Sequence, residues 1–276
     1  MNRPDARNLL LFFGVGFTLL FCLSPFVYML LTGFNTSPDF LRPGGNMAFT
    51  LDHFHTVIFS PQLHFPRYML NSIVISAASA CITVFAASLA AYALTRLPVP
   101  WKGPIMVFVL AISMFPEVSL LSYLFKFMSA LGWANTYQAL ILPYVAWTLP
   151  LSLWILVSYF EQVPHDLDKA GLIDCASRLT ILIKIILPVA APGVFSTLLL
   201  AFIFAFNEFL FALMLTTDYA ARTIPVGIAM FQGMHGEIPW GEIMAAAAVT
   251  TLPVVILTLL FQRRIIQGLT RGAVKE

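Results

Sequence analysis

Residues 71–94 read NSIVISAASACITVFAASLAAYAL, twenty-four consecutive positions without a charged side chain. At about 1.5 Å per residue, a helix of this length covers about 36 Å, enough for a hydrocarbon layer of about 30 Å. The run is too long, and alternates too little, to be a strand of a membrane barrel. Its many Ala and Ser residues let a neighbouring backbone approach closely, so a tightly packed membrane helix is expected.

Similar apolar runs lie on both sides, at 9–31, 104–125, 137–160, 188–215 and 243–261. The expected fold is therefore all-α, a polytopic membrane protein with six transmembrane helices. Composition agrees: 59% of the 276 residues are hydrophobic and 10% are charged. Soluble chains carry about 25% charged residues, so most of this surface does not face water and a soluble enzyme is excluded. A net charge of +2 is too weak a bias to suggest a nucleic acid partner. The first run follows Arg3 and Arg7 and exceeds the apolar core of a signal peptide. Pro25 and Phe26-Val27-Tyr28 stand where a cleavage motif would be, so it reads as a retained helix.

Charge distribution orients the spans. With the N-terminus inside, segments 1–8, 95–103, 161–187 and 262–276 hold 11 of the 15 basic residues. Arg42, Arg67, Lys126 and Arg222 are left for the outer side, so both termini are expected in the cytoplasm. Cys22, Cys81 and Cys175 are too scattered for a disulfide or metal framework. His53, His55, His64 and His235 fall in outer loops without ligand spacing, and no metal site is expected. Prolines at 25, 116, 143, 150, 192 and 253 each remove a backbone donor, which suits a bundle that bends.

Two carboxylates lie at membrane depth: Glu117 in MFPEVSLLSYLF and Glu208 in FIFAFNEFLFALML. A carboxylate left in lipid costs several kcal/mol, so each must face protein or a polar passage. For Glu208, hydrogen bonding to backbone at a bend or to a partner subunit is preferred over substrate contact. Pro116 likewise favours a bend role for Glu117. Asn207, Ser122 and Tyr123 complete a candidate translocation path whose polar groups could hydrogen-bond a neutral, hydroxyl-bearing cargo.

The strongest local signal is EQVPHDLDKAGLIDCASRLTILIKIILPVAAPG, residues 161–193. Pro164 can open a helix, and Asp166 and Asp168 then sit at the end whose dipole favours negative charge. A short helix, a turn and a second helix ending at Leu187-Pro188 are expected, presenting small residues for docking.

This segment resembles the coupling loop of bacterial ABC importer permeases, an EAA stretch followed by a Gly and later I-x-LP. Lys169-Ala170-Gly171, Cys175 and Ile185-Ile186-Leu187-Pro188 stand at those places. Asn71-Ser72, Leu142-Pro143, Asn207-Glu208-Phe209-Leu210 and the tail FQRRIIQGLTRGAVKE extend the likeness over nearly the whole chain. The surroundings resemble the carbohydrate branch, its MalG-like subunit, and within it the trehalose-type permeases. Four positions depart from the pattern: Lys169 replaces Glu, Gly171 the second Ala, Cys175 the Gly, and Phe206 a common Trp. Tyr123 also stands near a common Pro. If position 175 needs a left-handed backbone, the larger Cys must adjust there.

The resemblance implies a type I importer permease fold in one domain, 1–276, with a core at 71–262, a coupling loop at 161–188 and a cytoplasmic tail at 263–276. It implies that Pro164, Asp168, Lys169, Ala170, Gly171, Asp174, Cys175 and Ala176 couple to an ATPase. It further implies a homologous second permease, dimeric ATPase subunits, an extracytoplasmic solute-binding protein and the inner membrane. The sequence contains no G-x-x-x-x-G-K-[ST] loop, so ATP and Mg are expected on the partner and no cofactor on this chain. The expected cargo is a disaccharide or small glycoside such as trehalose, maltose or glucosylglycerol. A secondary transporter would show paired repeats, and an intramembrane enzyme a convergent nucleophile and base; neither pattern stands out, while a non-transporting scaffold remains the third reading.

Overall fold

The structure is a computed structural model that describes residues 6–36, 48–231 and 238–273, with side chains between Leu10 and Gln262. Arg3, Arg42, Lys275 and His235 lie outside the described residues, as do the side chains of Arg7, Arg263, Arg264 and Arg271. Among the described residues there are helices and one isolated bridge, Asn35 to Phe49, but no strand.

The chain divides into two compact units, Met1–Phe65 with Ile228–Leu252, and Pro66–Gly227 with Pro253–Glu276. The first unit contains α1 (Ala6–Gly33), the short α2 (Asp52–Phe59) and the beginning of α13 (Trp240–Ala273). Side chains along α1 from Leu10 to Tyr28 are exposed, as a helix that meets lipid or another subunit requires. Gly33 is small because the Ala245 backbone of α13 comes within 3.3 Å of where a Cβ would stand.

The second unit is built around α3 (Phe65–Arg96) and α6 (Tyr137–Glu161). Pro66 opens α3 in its first turn, where a missing N–H costs nothing. Asn71, Ser72, Ile75, Ser79, Thr83, Ala87 and Ala91 form a fully buried stripe along it, at helical spacing. The small side chains bring α3 close to α6, and the Thr83 and Thr148 hydroxyls meet across the gap at 2.9 Å. Two apolar clusters close the ends of this pair. Leu156, Phe160, Ile181 and Ile186 belong to one, and Ile75, Met128, Tyr144 and Leu215 to the other.

Two expected spans are not straight. The run at 104–125 becomes α4 (Lys102–Ser113) and α5 (Val118–Ala130), which meet at 87°. Pro116 lies in the break; it cannot donate to the preceding turn and disfavours helix at the residue before it. The run expected to begin at 188 is instead divided at Ala190, between helical arms Arg178–Val189 and Ala191–Phe206 bent by 86°. The first arm comprises α8 (Arg178–Ile181), a π-helical stretch (Leu182–Ile186) and α9 (Leu187–Val189). Gly193 in α10 (Ala191–Phe206) lies against the Tyr159 ring of α6, where no Cβ would fit. Beyond Phe206 the backbone breaks again before α11 (Leu210–Leu215), and α12 (Ile224–Ala229) follows. Among the described residues, four single helices are long and apolar enough to cross a membrane, and up to six spans result if each bent pair counts as one. The last helix continues to Ala273, past the expected end of its span.

Candidate functional site

The expected coupling loop forms α7 (Asp166–Ile173), a turn, and then α8. Pro164 precedes α7 by a lead-in turn in which the Leu167 N–H donates to the Pro164 carbonyl at 3.3 Å. Asp166 and Asp168 occupy the first helical turn, where the dipole favours them. The Lys169 ammonium, 2.9 Å from Asp166, holds that carboxyl below the usual carboxylate range, and Lys169 is raised in return. Both groups are exposed, so the pair adds little to stability. The helix ends in a double cap: Ala176 N–H donates to the Gly171 carbonyl at 3.0 Å and Cys175 N–H to the Leu172 carbonyl at 3.1 Å. This cap requires a left-handed residue, and Cys175 adopts it with φ 57. A position suited to glycine thus carries a cysteine whose Cβ is crowded.

The eight residues named for this segment divide by face. Pro164, Lys169, Ala170, Asp174 and Cys175 are exposed, and Ala176 is half-buried. Asp168 and Gly171 are buried against the chain itself. A Cβ on Gly171 would lie 2.9 Å from Ile181 Cγ1 of α8, so glycine sets the close approach of the two helices. Asp168, grouped by sequence with the docking residues, turns its carboxylate inward: Oδ2 is 3.5 Å from Arg96 Nη1 and Oδ1 accepts from the Tyr92 hydroxyl at 3.2 Å. Sequence reading also passed over Ile173, which is 81% exposed at the end of α7 and is its most prominent apolar group. Its place on the same helix as Lys169 and Ala170 was the available signal.

The membrane-depth candidates come together in part. Glu117, Asn207 and Glu208 line one cavity of about 380 Å³ with Trp147, Ile203, Phe204, Phe209 and Leu210. A neighbouring cavity of about 250 Å³ shares Trp147 and Phe204 and adds Ser113, Thr148 and Ser152. Tyr123 lines a third, largely apolar cavity of about 610 Å³, which also contains Trp147. Ser122 is exposed and lines none of these three. Trp147 is common to all of them, yet sequence reading did not single it out, because one Trp in an apolar helix carries no positional signal.

Local hydrogen bonds explain the break beside the groove. Glu208 Oε1 accepts from the Phe211 N–H at 2.8 Å and Oε2 from the Ala212 N–H at 3.1 Å, capping α11. Asn207 donates its side-chain amide to the Ile203 carbonyl at 2.8 Å, closing α10. Glu117 occupies the α4–α5 break and is half-buried. Among the described residues, no group of three or more His, Cys, Asp or Glu side chains is placed to hold a metal ion.

Comparison with known proteins supplies the family. The chain is 55% identical over 276 residues to the trehalose/maltose transport system permease protein MalG of Thermococcus litoralis, covering 100% of this chain and 99% of that one. It is 44% identical over 212 residues to the trehalose transport system permease protein SugB of Mycobacterium tuberculosis, covering 76% and 77%. It is 39% identical over 267 residues to the sulfoquinovosyl glycerol transport system permease protein SmoH of Agrobacterium fabrum, covering 96% and 93%. The fold matches a chain of a bacterial ABC transporter involved in the import of the acidic polysaccharide alginate. That match has a TM-score of 0.78 at 16% identity and covers 95% of this chain and 98% of that one. Residues 81–271 match the family described as binding-protein-dependent transport system inner membrane component, and the chain belongs to that family.

Proposed function

We propose that this chain is a permease subunit of an ATP-driven importer for a small neutral glycoside, a disaccharide such as trehalose or maltose, or glucosylglycerol. The observation that carries this reading is 55% identity, along the whole chain, to a trehalose/maltose permease. Members of the family are permeases rather than enzymes, and this sequence has no phosphate-binding loop. Energy then comes from a dimeric partner that binds ATP and Mg, docked on the exposed face of α7. A homologous second permease pairs with this one, and a solute-binding protein delivers the sugar from outside. The excess of basic residues in segments 1–8, 95–103, 161–187 and 262–276 supports a cytoplasmic position for both termini.

The groove suits a neutral polyol. Trp147 offers a flat apolar surface to a sugar ring, while Asn207, Ser152 and the carboxyl groups offer hydrogen bonds to hydroxyls. Two carboxyl groups at one cavity disfavour an anionic cargo such as a glycerol phosphate. In this mechanism nucleotide binding moves α7, α7 moves the helices it is fastened to, and the groove changes the side to which it opens.

The test is uptake into vesicles that contain this permease with its ATPase, second permease and binding protein. Labelled trehalose and maltose should accumulate only with ATP on the ATPase side and should compete with each other. Uptake driven by an ion gradient without ATP would instead establish a secondary transporter.

A further inference from the structure

The cytoplasmic-type end of α3 carries a charge that the mechanism above does not use. Arg96 is the last residue of α3, and its side chain is 1% exposed. Its Nη2 donates to the carbonyls of Phe160 at 2.7 Å and Val163 at 2.6 Å, at the C-terminal end of α6. The Phe160 carbonyl, in the last turn of α6, also accepts from the Val163 N–H at 3.1 Å, and the guanidinium sits at the negative end of the helix dipole. Its Nη1 lies 3.5 Å from Asp168 on α7, and Tyr92, one turn earlier on α3, donates to the other oxygen of the same carboxylate. A single guanidinium therefore joins α3, the end of α6 and α7. A planar fork with several fixed donors can do this, whereas a lysine ammonium cannot reach all three with the same geometry.

The opposite end of α3 is fastened as well. Asn71 is fully buried and donates to the carbonyls of Tyr219, Ala220 and Arg222, while the Ser72 hydroxyl accepts from the Ile224 N–H. From Asn71 to Arg96 the helix is uninterrupted and contains no proline, unlike the bent pairs at α4–α5 and α9–α10. About 37 Å of stiff helix thus links the fastening of α7 to the 219–224 segment.

We propose that Arg96 is a positioning residue that locks α7 to α3, so that displacement of α7 is carried along α3 to the Tyr219–Ile224 end of the bundle. This rests on the reading of α7 as the surface that receives motion from an ATPase. Arg96 touches neither nucleotide nor sugar; it decides whether motion of α7 becomes motion of the permease.

The experiment compares sugar molecules accumulated per ATP hydrolysed in vesicles that hold the complete complex. The variants are Arg96→Gln, Arg96→Lys and Asp168→Asn. In Arg96→Gln, co-purification of the ATPase and its hydrolysis rate should stay within twofold, while sugar moved per ATP falls at least tenfold. Arg96→Lys should recover part of that loss, and Asp168→Asn, isosteric and uncharged, should show the same uncoupling in milder form. If Arg96→Gln fails to assemble, Asp168→Asn decides the matter by the same ratio. Unchanged sugar per ATP in the deciding variant overturns the proposal, as does a proportional fall of hydrolysis and uptake, which marks a merely structural role. A wild-type complex that moves no sugar on ATP overturns the proposed function itself, a result read before any variant is compared.

Discussion

The Tyr137 hydroxyl donates to Asn71 Oδ1 at 2.6 Å, which orients the Asn71 amide so that its nitrogen faces three backbone carbonyls. One side chain therefore ties α3 to the beginning of α6 and to the 219–222 loop, its two amide hydrogens shared among three carbonyls. Replacing it by Ala removes these contacts, although the Ala220 carbonyl keeps the Arg67 guanidinium at 3.4 Å; a hydrogen-bonding group left dry and unmatched costs about 1–3 kcal/mol. Asn71→Ala is expected to lower the unfolding midpoint of the detergent-solubilised protein more than Tyr137→Phe, which removes one hydroxyl and costs about 1 kcal/mol. Equal midpoints for the two variants would contradict the arrangement.

Cys175 gives a prediction of the opposite sign. A side chain in the left-handed region costs about 1–2 kcal/mol, while glycine costs roughly 0.5–1 kcal/mol of extra chain entropy. Cys175→Gly is therefore expected to stabilise the end of α7 by roughly 0.5–1 kcal/mol, and Cys175→Val, which is β-branched, to weaken it further. Hydrogen exchange at the Cys175 and Ala176 amides, which form the cap, reads this directly. Slower exchange in Cys175→Gly confirms the strain, and faster exchange contradicts it.

Glu208 caps α11 with both carboxylate oxygens. Hydrogen bonds to a charged acceptor contribute about 1.5–3 kcal/mol, so Glu208→Ala is expected to cost about 3 kcal/mol and Glu208→Gln, which keeps one acceptor, about half of that. Thermal unfolding distinguishes this from a role confined to sugar binding, in which the midpoint would not change.

Asp218 is a group whose acid response can be read without entering the membrane. The Ala220 N–H donates to it at 2.7 Å and the Asn135 amide at 2.8 Å, and together they hold its carboxyl below the usual carboxylate range. A depressed value in the folded state means that the contribution is complete above the ordinary aspartate range and is lost as pH falls through the folded value. Protection of the Ala220 amide, corrected for intrinsic exchange, should drop below about pH 4 in the wild type. In Asp218→Asn it should show no such step; a step of equal size there would contradict the assignment.

Much of this architecture was legible in the chain because hydropathy is a property of long runs. Residues 71–94 form a helix as expected, and α6 likewise matches its run at 137–160. The bends were not legible, since Met114–Glu117 interrupts an otherwise apolar run for only four residues and a window averages across it. Local chemistry also placed α7, through Pro164 and the acidic first turn. It could not separate the two aspartates of that turn. Asp166 is solvated and Asp168 is buried because Arg96 stands beneath the second, and that partner comes from a different helix. Trp147 escaped notice for the same reason: its importance lies in the three cavities that meet at it.

The central claim is that the outward face of α7 receives the work of a separate ATPase. Ala170 is exposed on that face and makes no side-chain contribution to the chain's own core. Ala170→Trp places bulk where docking requires closeness and leaves the core untouched. The measurement is ATP-dependent sugar uptake by the reconstituted complex, with the unfolding midpoint of the isolated permease as control. An unchanged midpoint with the ATPase released, or with uptake reduced at least a hundredfold, is the predicted result. Undiminished uptake on ATP with the bulky side chain in place would contradict it.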